Sequence, residues 1–146
     1  MTRVSVTQDI AASPERVFAR IADVEKLPER DADVLAVEVL SEVREGVGLR
    51  FRERRRNGKG ELVSELEVTE YAPPERIRFV TENHGTVWDT VFAVHRRGGG
   101  SQLVVTMNAR PSRLLPKILN PLMKPLFASG IRKHVKALAA DCERGA

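Results

Sequence analysis

Apolar and polar residues alternate through most of this chain, and apolar residues recur at helical spacing only near its two ends. Val4, Val6 and Ile10, with Gln8 between them, face one way while polar neighbours face the other, which predicts a first strand over about residues 3 to 11. Ser13 then offers an N-cap and Pro14 suits the first helical position, ahead of Val17, Phe18 and Ile21 at helical spacing. The segment Asp23 to Pro28 breaks that pattern and predicts a second short helix near residues 24 to 31. From residue 34 the period is two. Leu35, Val37 and Val39 mark a second strand, and Val47, Leu49 and Phe51 a third. Asn57-Gly58 signals a type I′ hairpin into a fourth strand over 60 to 71, with Leu62, Ser64, Leu66 and Val68 on one face. Ala72-Pro73-Pro74-Glu75 ends it. Ile77, Phe79 and Thr81 open a fifth strand, Asn83-His84-Gly85 turns the chain, and Thr86, Trp88, Thr90, Phe92 and Val94 line a sixth. After Gly98-Gly99-Gly100, residues 101 to 110 form a seventh through Leu103, Val105 and Met107. The closing stretch, from Leu114 to Leu138, carries apolar residues every three or four positions. It predicts a helical turn near 113 to 119 and a long helix from about 121 to 143, capped by Asn120 with Pro121 at its first position.

Six strands joined by hairpins imply an antiparallel sheet, and one long helix with a broad apolar stripe is its natural cover. The run Val4 to Asp23, with its Ala-Ser-Pro-Glu and Val-Phe, closely resembles the opening of START-like proteins of the SRPBCC superfamily, particularly the polyketide cyclase/dehydrase and lipid-transport branch. The segment Asp23 to Pro28, the strand Trp88 to Val94 before a Gly-rich turn, and the C-terminal helix extend the resemblance over nearly the whole chain. It implies one START-like domain over residues 1 to 146 with an α+β helix-grip fold, also called birch-pollen-allergen-like. In that fold a curved seven-stranded antiparallel sheet surrounds a long C-terminal helix, two short helices follow strand 1, and an internal cavity holds a hydrophobic small molecule.

Composition narrows the classes. At 146 residues and 42% hydrophobic content, the chain can fill one core without metal or disulfide staples. Its single cysteine, Cys142, excludes an intramolecular disulfide and any multi-cysteine zinc module. No apolar leader region follows Met1 and no 18-residue apolar stretch occurs, so the expected location is cytoplasmic. The net charge of +4 is uneven. Residues 90 to 140 carry nine Lys and Arg and no acid, whereas residues 1 to 89 hold 14 basic and 18 acidic side chains. A basic segment of this kind is either a solvated face or a surface for weak contact with an anionic membrane; nucleic acid is not expected.

The alternation also assigns faces. Arg50, Arg52, Arg54 and Arg56 share one side of the third strand, with Leu49 and Phe51 on the other. Phe51, Leu66, Phe79, Trp88, Phe92 and Met107 are therefore placed inward, with Thr90 on the face of Trp88 and Phe92. From the helix, Leu122, Leu126, Ile131 and His134 complete the expected ligand-contacting set, against the plainer reading that many of these are core. Leu119, Leu122, Met123 and Leu126 are expected to gate one end of the cavity. Ser64, Thr81 and Thr86 are further inward hydroxyls that could orient a ligand.

No His or Cys spacing suggests a metal site, and no Gly-rich segment opens a helix as a nucleotide loop must, so neither metal nor cofactor is expected. His84 falls in a turn and His95 on an outer face, leaving His134 as the sole acid–base candidate and no catalytic residue assigned. The residues thus favour binding or transport of a lipid, quinone or polyketide-like molecule over catalysis. A polyketide cyclase, aromatase or dehydratase using the same cavity is the alternative, and a module that binds a macromolecular partner is a third.

Overall fold

In a computed structural model that describes residues 2–144, every strand pairs antiparallel with its neighbours in one seven-stranded sheet. The order is β1-β7-β6-β5-β4-β3-β2, with β1 (Thr2–Ile10), β2 (Val34–Val39), β3 (Arg50–Asn57), β4 (Gly60–Ala72), β5 (Arg76–Asn83), β6 (Thr86–Arg97) and β7 (Gly100–Pro111). Consecutive hairpins explain all of this order except the β1–β7 pair, which brings the first strand beside the last. Gly100 makes that closure possible: a Cβ there would lie 2.5 Å from the backbone oxygen of Ile10. Helix α1 (Pro14–Ala22), a 3₁₀ turn (Val24–Lys26) and α2 (Leu27–Arg30) carry the chain from one sheet edge, β1, to the other, β2. Ser13 caps α1, its Oγ accepting from the Arg16 amide at 3.2 Å, with Pro14 in the first turn. Two C-terminal helices follow, α3 (Leu114–Leu122) and α4 (Lys124–Glu143). The second half of α4 buries Val135, Leu138, Ala139 and Cys142 against a core that includes Val17 and Phe18 of α1 and Val4 and Val6 of β1.

Three sequence expectations need correction. The third strand starts at Arg50 rather than near Val47, because Gly46 and Gly48 take φ of +86° and +95° and curl the chain, leaving Val47 60% exposed. The β3–β4 hairpin turns on Gly58-Lys59, since Asn57 pairs with Gly60 and Gly58 alone has positive φ, as a glycine at the first central position allows. The double-positive turn occurs instead at His84-Gly85, between β5 and β6, with φ of 50° and 77°.

The third correction concerns the C-terminal helices. Asn120 does not cap the long helix; it is buried inside α3, where its Nδ2 donates to Thr86 Oγ1 at 3.1 Å and is committed to β6. The break falls at Met123, because Pro125 has no N–H to offer the carbonyl of Pro121 and α4 must restart at Lys124. Asn120 is the only buried residue of α3, so Leu114, Leu115, Ile118 and Leu122 stand more than half exposed.

Candidate functional site

The strand registers build the site. Phe79, Thr90, Met107 and Val4 stand opposite one another in a row across β5, β6, β7 and β1. A parallel row runs through Ile77, Phe92 and Val105, and Phe51 faces Leu66 across β3 and β4. Side chains of successive strands at one register level point to the same face, so these rows form a continuous apolar floor. Phe51, Phe79 and Phe92 meet edge to face along it, with ring centroids 6.0 and 5.7 Å apart, and His134 of α4 continues the series 6.3 Å from Phe92. Opposite the floor, Phe127 of α4 meets Trp88 edge to face at 4.9 Å.

Between floor and helix lies a cavity of about 340 Å³. Of the residues singled out from the sequence, Phe51, Leu66, Phe79, Trp88, Thr90, Phe92, Met107, Ile131 and His134 all stand in its wall. Leu122 and Leu126 do not: they are 74% and 64% exposed, because α3 turns only Asn120 toward the sheet and the helix restarts in a new phase after Met123. The neighbouring helical position, Phe127, faces the cavity instead. Leu119 and Met123, expected with them at a gate, are also exposed. Among the hydroxyls, Thr81 and Thr90 line the cavity; Ser64 accepts from Asn83 Nδ2 at 2.8 Å, and Thr86 is engaged by Asn120.

One end of the cavity is charged, and residue type hid this end from the sequence reading. Alternation that places Phe51 inward also turns Glu53 and Arg55 inward, and both line the cavity. Arg55 Nε donates to Glu53 at 2.9 Å, and its Nη2 lies 3.5 Å from Asp31 Oδ2. Asp31 Oδ2 also meets His134 Nδ1 at 3.0 Å. The bond from His134, working against the cost of burial and assisted by the Asp33 amide and Arg55, holds the Asp31 carboxyl at about 2, below its ordinary 3.8. Asp31 is therefore ionised at neutral pH and can only accept, so His134 Nδ1 carries the hydrogen. Arg30 adds a second cation to the wall at 8% exposure. The clue to Glu53 and Arg55 lay in the strand phase; for Arg30 and Phe127 no local pattern marks the inward direction.

The outer surface accounts for much of the uneven charge. Arg96, Arg97, Arg110 and Lys133 pair with Glu15, Asp9, Asp89 and Asp33, so four of the nine cations in residues 90 to 140 meet the acidic excess of the first 89. Among the described residues, Arg113, Lys117 and Lys124 form no ion pair, and they lie before, within and just after α3, which carries the exposed leucines. His84 and His95 are exposed, away from the cavity, and no group of three or more His, Cys, Asp or Glu among the described residues could hold a metal ion. No helix among the described residues is long and apolar enough to cross a membrane.

A family model described as polyketide cyclase / dehydrase and lipid transport matches residues 1–143. A crystal structure of a Thermus thermophilus protein superposes with a TM-score of 0.80 at 22% identity, covering 97% of each chain. A START superfamily protein from Mycobacterium smegmatis gives 0.83 at 19% identity over 99% of each chain. The ZhuI aromatase/cyclase from Streptomyces sp. R1128 gives 0.81 at 16% identity, over 98% of this chain and 94% of that one. At these identities the likeness is one of fold. No curated protein matches the chain.

Proposed function

We propose, for a chain that belongs to the polyketide cyclase / dehydrase and lipid transport family, that the cavity binds and carries one hydrophobic small molecule of lipid, quinone or polyketide type. One observation carries this reading: a volume of about 340 Å³, floored by Phe51, Phe79, Phe92 and Met107, is left open in a region where side chains would otherwise interdigitate. Apolar walls favour transfer of ligand surface from water at roughly 25 cal/mol per Å², and the Thr90 hydroxyl, which makes no hydrogen bond among the described residues, is free to orient a polar end. Native mass spectrometry of the gently purified protein, with titration of fatty acids and quinones followed through its single tryptophan, Trp88, tests it. Co-purified ligand, or saturable change at about one molecule per chain, supports the reading. Unchanged emission and melting temperature across several lipophilic classes refutes it.

The His134–Asp31 pair favours a second reading, cyclase or dehydratase chemistry in the same cavity. With Nδ1 held by Asp31, His134 Nε2 is the nitrogen left to take a proton from an acidic C–H and return it to a departing hydroxyl, which leaves as water. Conversion of a poly-β-ketone thioester analogue, lost in His134→Gln, is the expected result; no conversion by the wild type removes this reading.

The exposed leucines of α3, with the unpaired Arg113, Lys117 and Lys124 in the same segment, suit an anionic membrane from which a lipophilic ligand is collected. Co-sedimentation with anionic but not neutral vesicles, weakened near about 0.5 M salt where the Debye length is about 4 Å, is the expected behaviour. Equal retention on both, or none, overturns it.

A further inference from the structure

Arg30 is a buried cation in the cavity wall that hydrophobic binding leaves unused. It closes α2 and stands with Val24 and Leu27 at the charged end of the cavity, 8% exposed. Its Nη1 donates to the carbonyl oxygen of Arg20 and lies 3.5 Å from that of Asp23, so one nitrogen caps the end of α1. Nε has no partner, and among the described residues no carboxylate comes within ion-pair distance of this side chain. Of the acids near it, Asp31 is engaged with His134 and Arg55 and Asp141 with Arg20 and Arg144, while Asp23 acts on the guanidinium only from beyond ion-pair distance. A guanidinium removed from water is costly unless its donors and its charge are both met, and here the protein meets them only in part.

Building on the hydrophobic-ligand reading, we propose that the occupant is an amphipathic anion, an apolar chain or ring system ending in a carboxylate, with its acid group against Arg30 and its apolar part along Phe79, Phe92 and Trp88. A carboxylate matches the planar guanidinium and supplies a counter-charge within ion-pair distance, which no side chain among the described residues does. An alcohol or ester of the same skeleton fills the same apolar volume without doing so.

Calorimetric titration at about pH 8, where carboxylic acids are ionised, compares two matched pairs: dodecanoate with dodecan-1-ol, and 2-naphthoate with 2-naphthalenemethanol. The first pair represents a fatty acid as the source of the carboxylate, the second an aromatic acid. The acid of at least one pair binds tighter by about tenfold to a hundredfold, the worth of hydrogen bonds to a charged group. Arg30→Gln abolishes that preference while leaving the alcohol's affinity in place, whereas Arg52→Gln, on the exposed outer face of β3, keeps the preference. Because Arg30 also caps α1, a second readout uses the wild type alone: the Arg30 Nε–H resonance shifts with the preferred acid and stays put with its alcohol. Equal affinity within both pairs overturns the anion proposal and leaves hydrophobic binding standing. A preference that survives Arg30→Gln, or an unmoved Nε–H, overturns the assignment to Arg30. Binding of none of the four compounds overturns the underlying reading as well.

Discussion

Replacing Asp31 by Asn removes a charge on which His134, Arg55 and the Asp33 amide converge, while preserving the side chain's shape. Asp31 is held at about 2 in the folded protein against an ordinary 3.8. At about 1.36 kcal/mol for each tenfold change in an ionisation constant, that difference corresponds to about 2 kcal/mol of stability at neutral pH. The side chain is only 8% exposed, so solvent screening takes little from this figure. A carboxyl whose folded value is depressed contributes its stability in full above the unfolded value and loses it as pH falls towards the folded value. Urea denaturation of wild type and Asp31→Asn, run in parallel from pH 7 down to about pH 2, reads the difference, since the other carboxyls titrate in both proteins. The wild type is expected to be more stable by about 2 kcal/mol at pH 7, with the gap intact to about pH 5 and closing below 3.8. A gap that stays constant from pH 7 to 2, or no gap at pH 7, would refute the claim that the bond from His134 stabilises the ionised carboxylate.

Gly100→Ala sets a methyl 2.5 Å from the Ile10 oxygen at the β1–β7 closure, and a loss of about 1–3 kcal/mol in denaturant midpoints is expected, with a neutral result contradicting the close approach. Phe127→Ala removes the ring against Trp88, so the tryptophan emission should move to the red and thermal stability should fall, whereas an unchanged spectrum would place Trp88 elsewhere.

The elements most legible in the sequence are those whose local signals agree with their tertiary role. Ser13-Pro14 caps α1 because capping is settled within one turn of chain. The strands β5 and β7 alternate cleanly, so Phe79 and Met107 could be placed inward from the sequence, whereas on β6 the shared face of Trp88 and Phe92 had to carry Thr90 inward while buried Asp89 blurs the alternation. The C-terminal helices show where that reasoning stops. Leucines at helical spacing look the same whether they face a core or solvent, and the bond from Asn120 to Thr86, which turns Asn120 and not the leucines toward the sheet, leaves no trace in that spacing. Residue type misled at β3, where two charged side chains share the phase of Phe51, and Arg55 meets Asp31, just after α2, which in turn meets His134 of α4. Long-range pairing of this kind leaves no periodic trace, and Arg30 is invisible for the same reason.

The two faces of β3 also bear on how the chain finds its fold. Arg50, Arg52, Arg54 and Arg56 project outward, one residue out of step with Phe51, Glu53 and Arg55. Slipping the strand by a single residue against β4 would carry all four guanidiniums across to the concave side, where burial of unpaired charge is prohibitive. Misregistered hairpins are thereby penalised as soon as the concave face closes over its core. The arginines that make this strand look like an ordinary wetted surface thus act as a proofreading device for strand register.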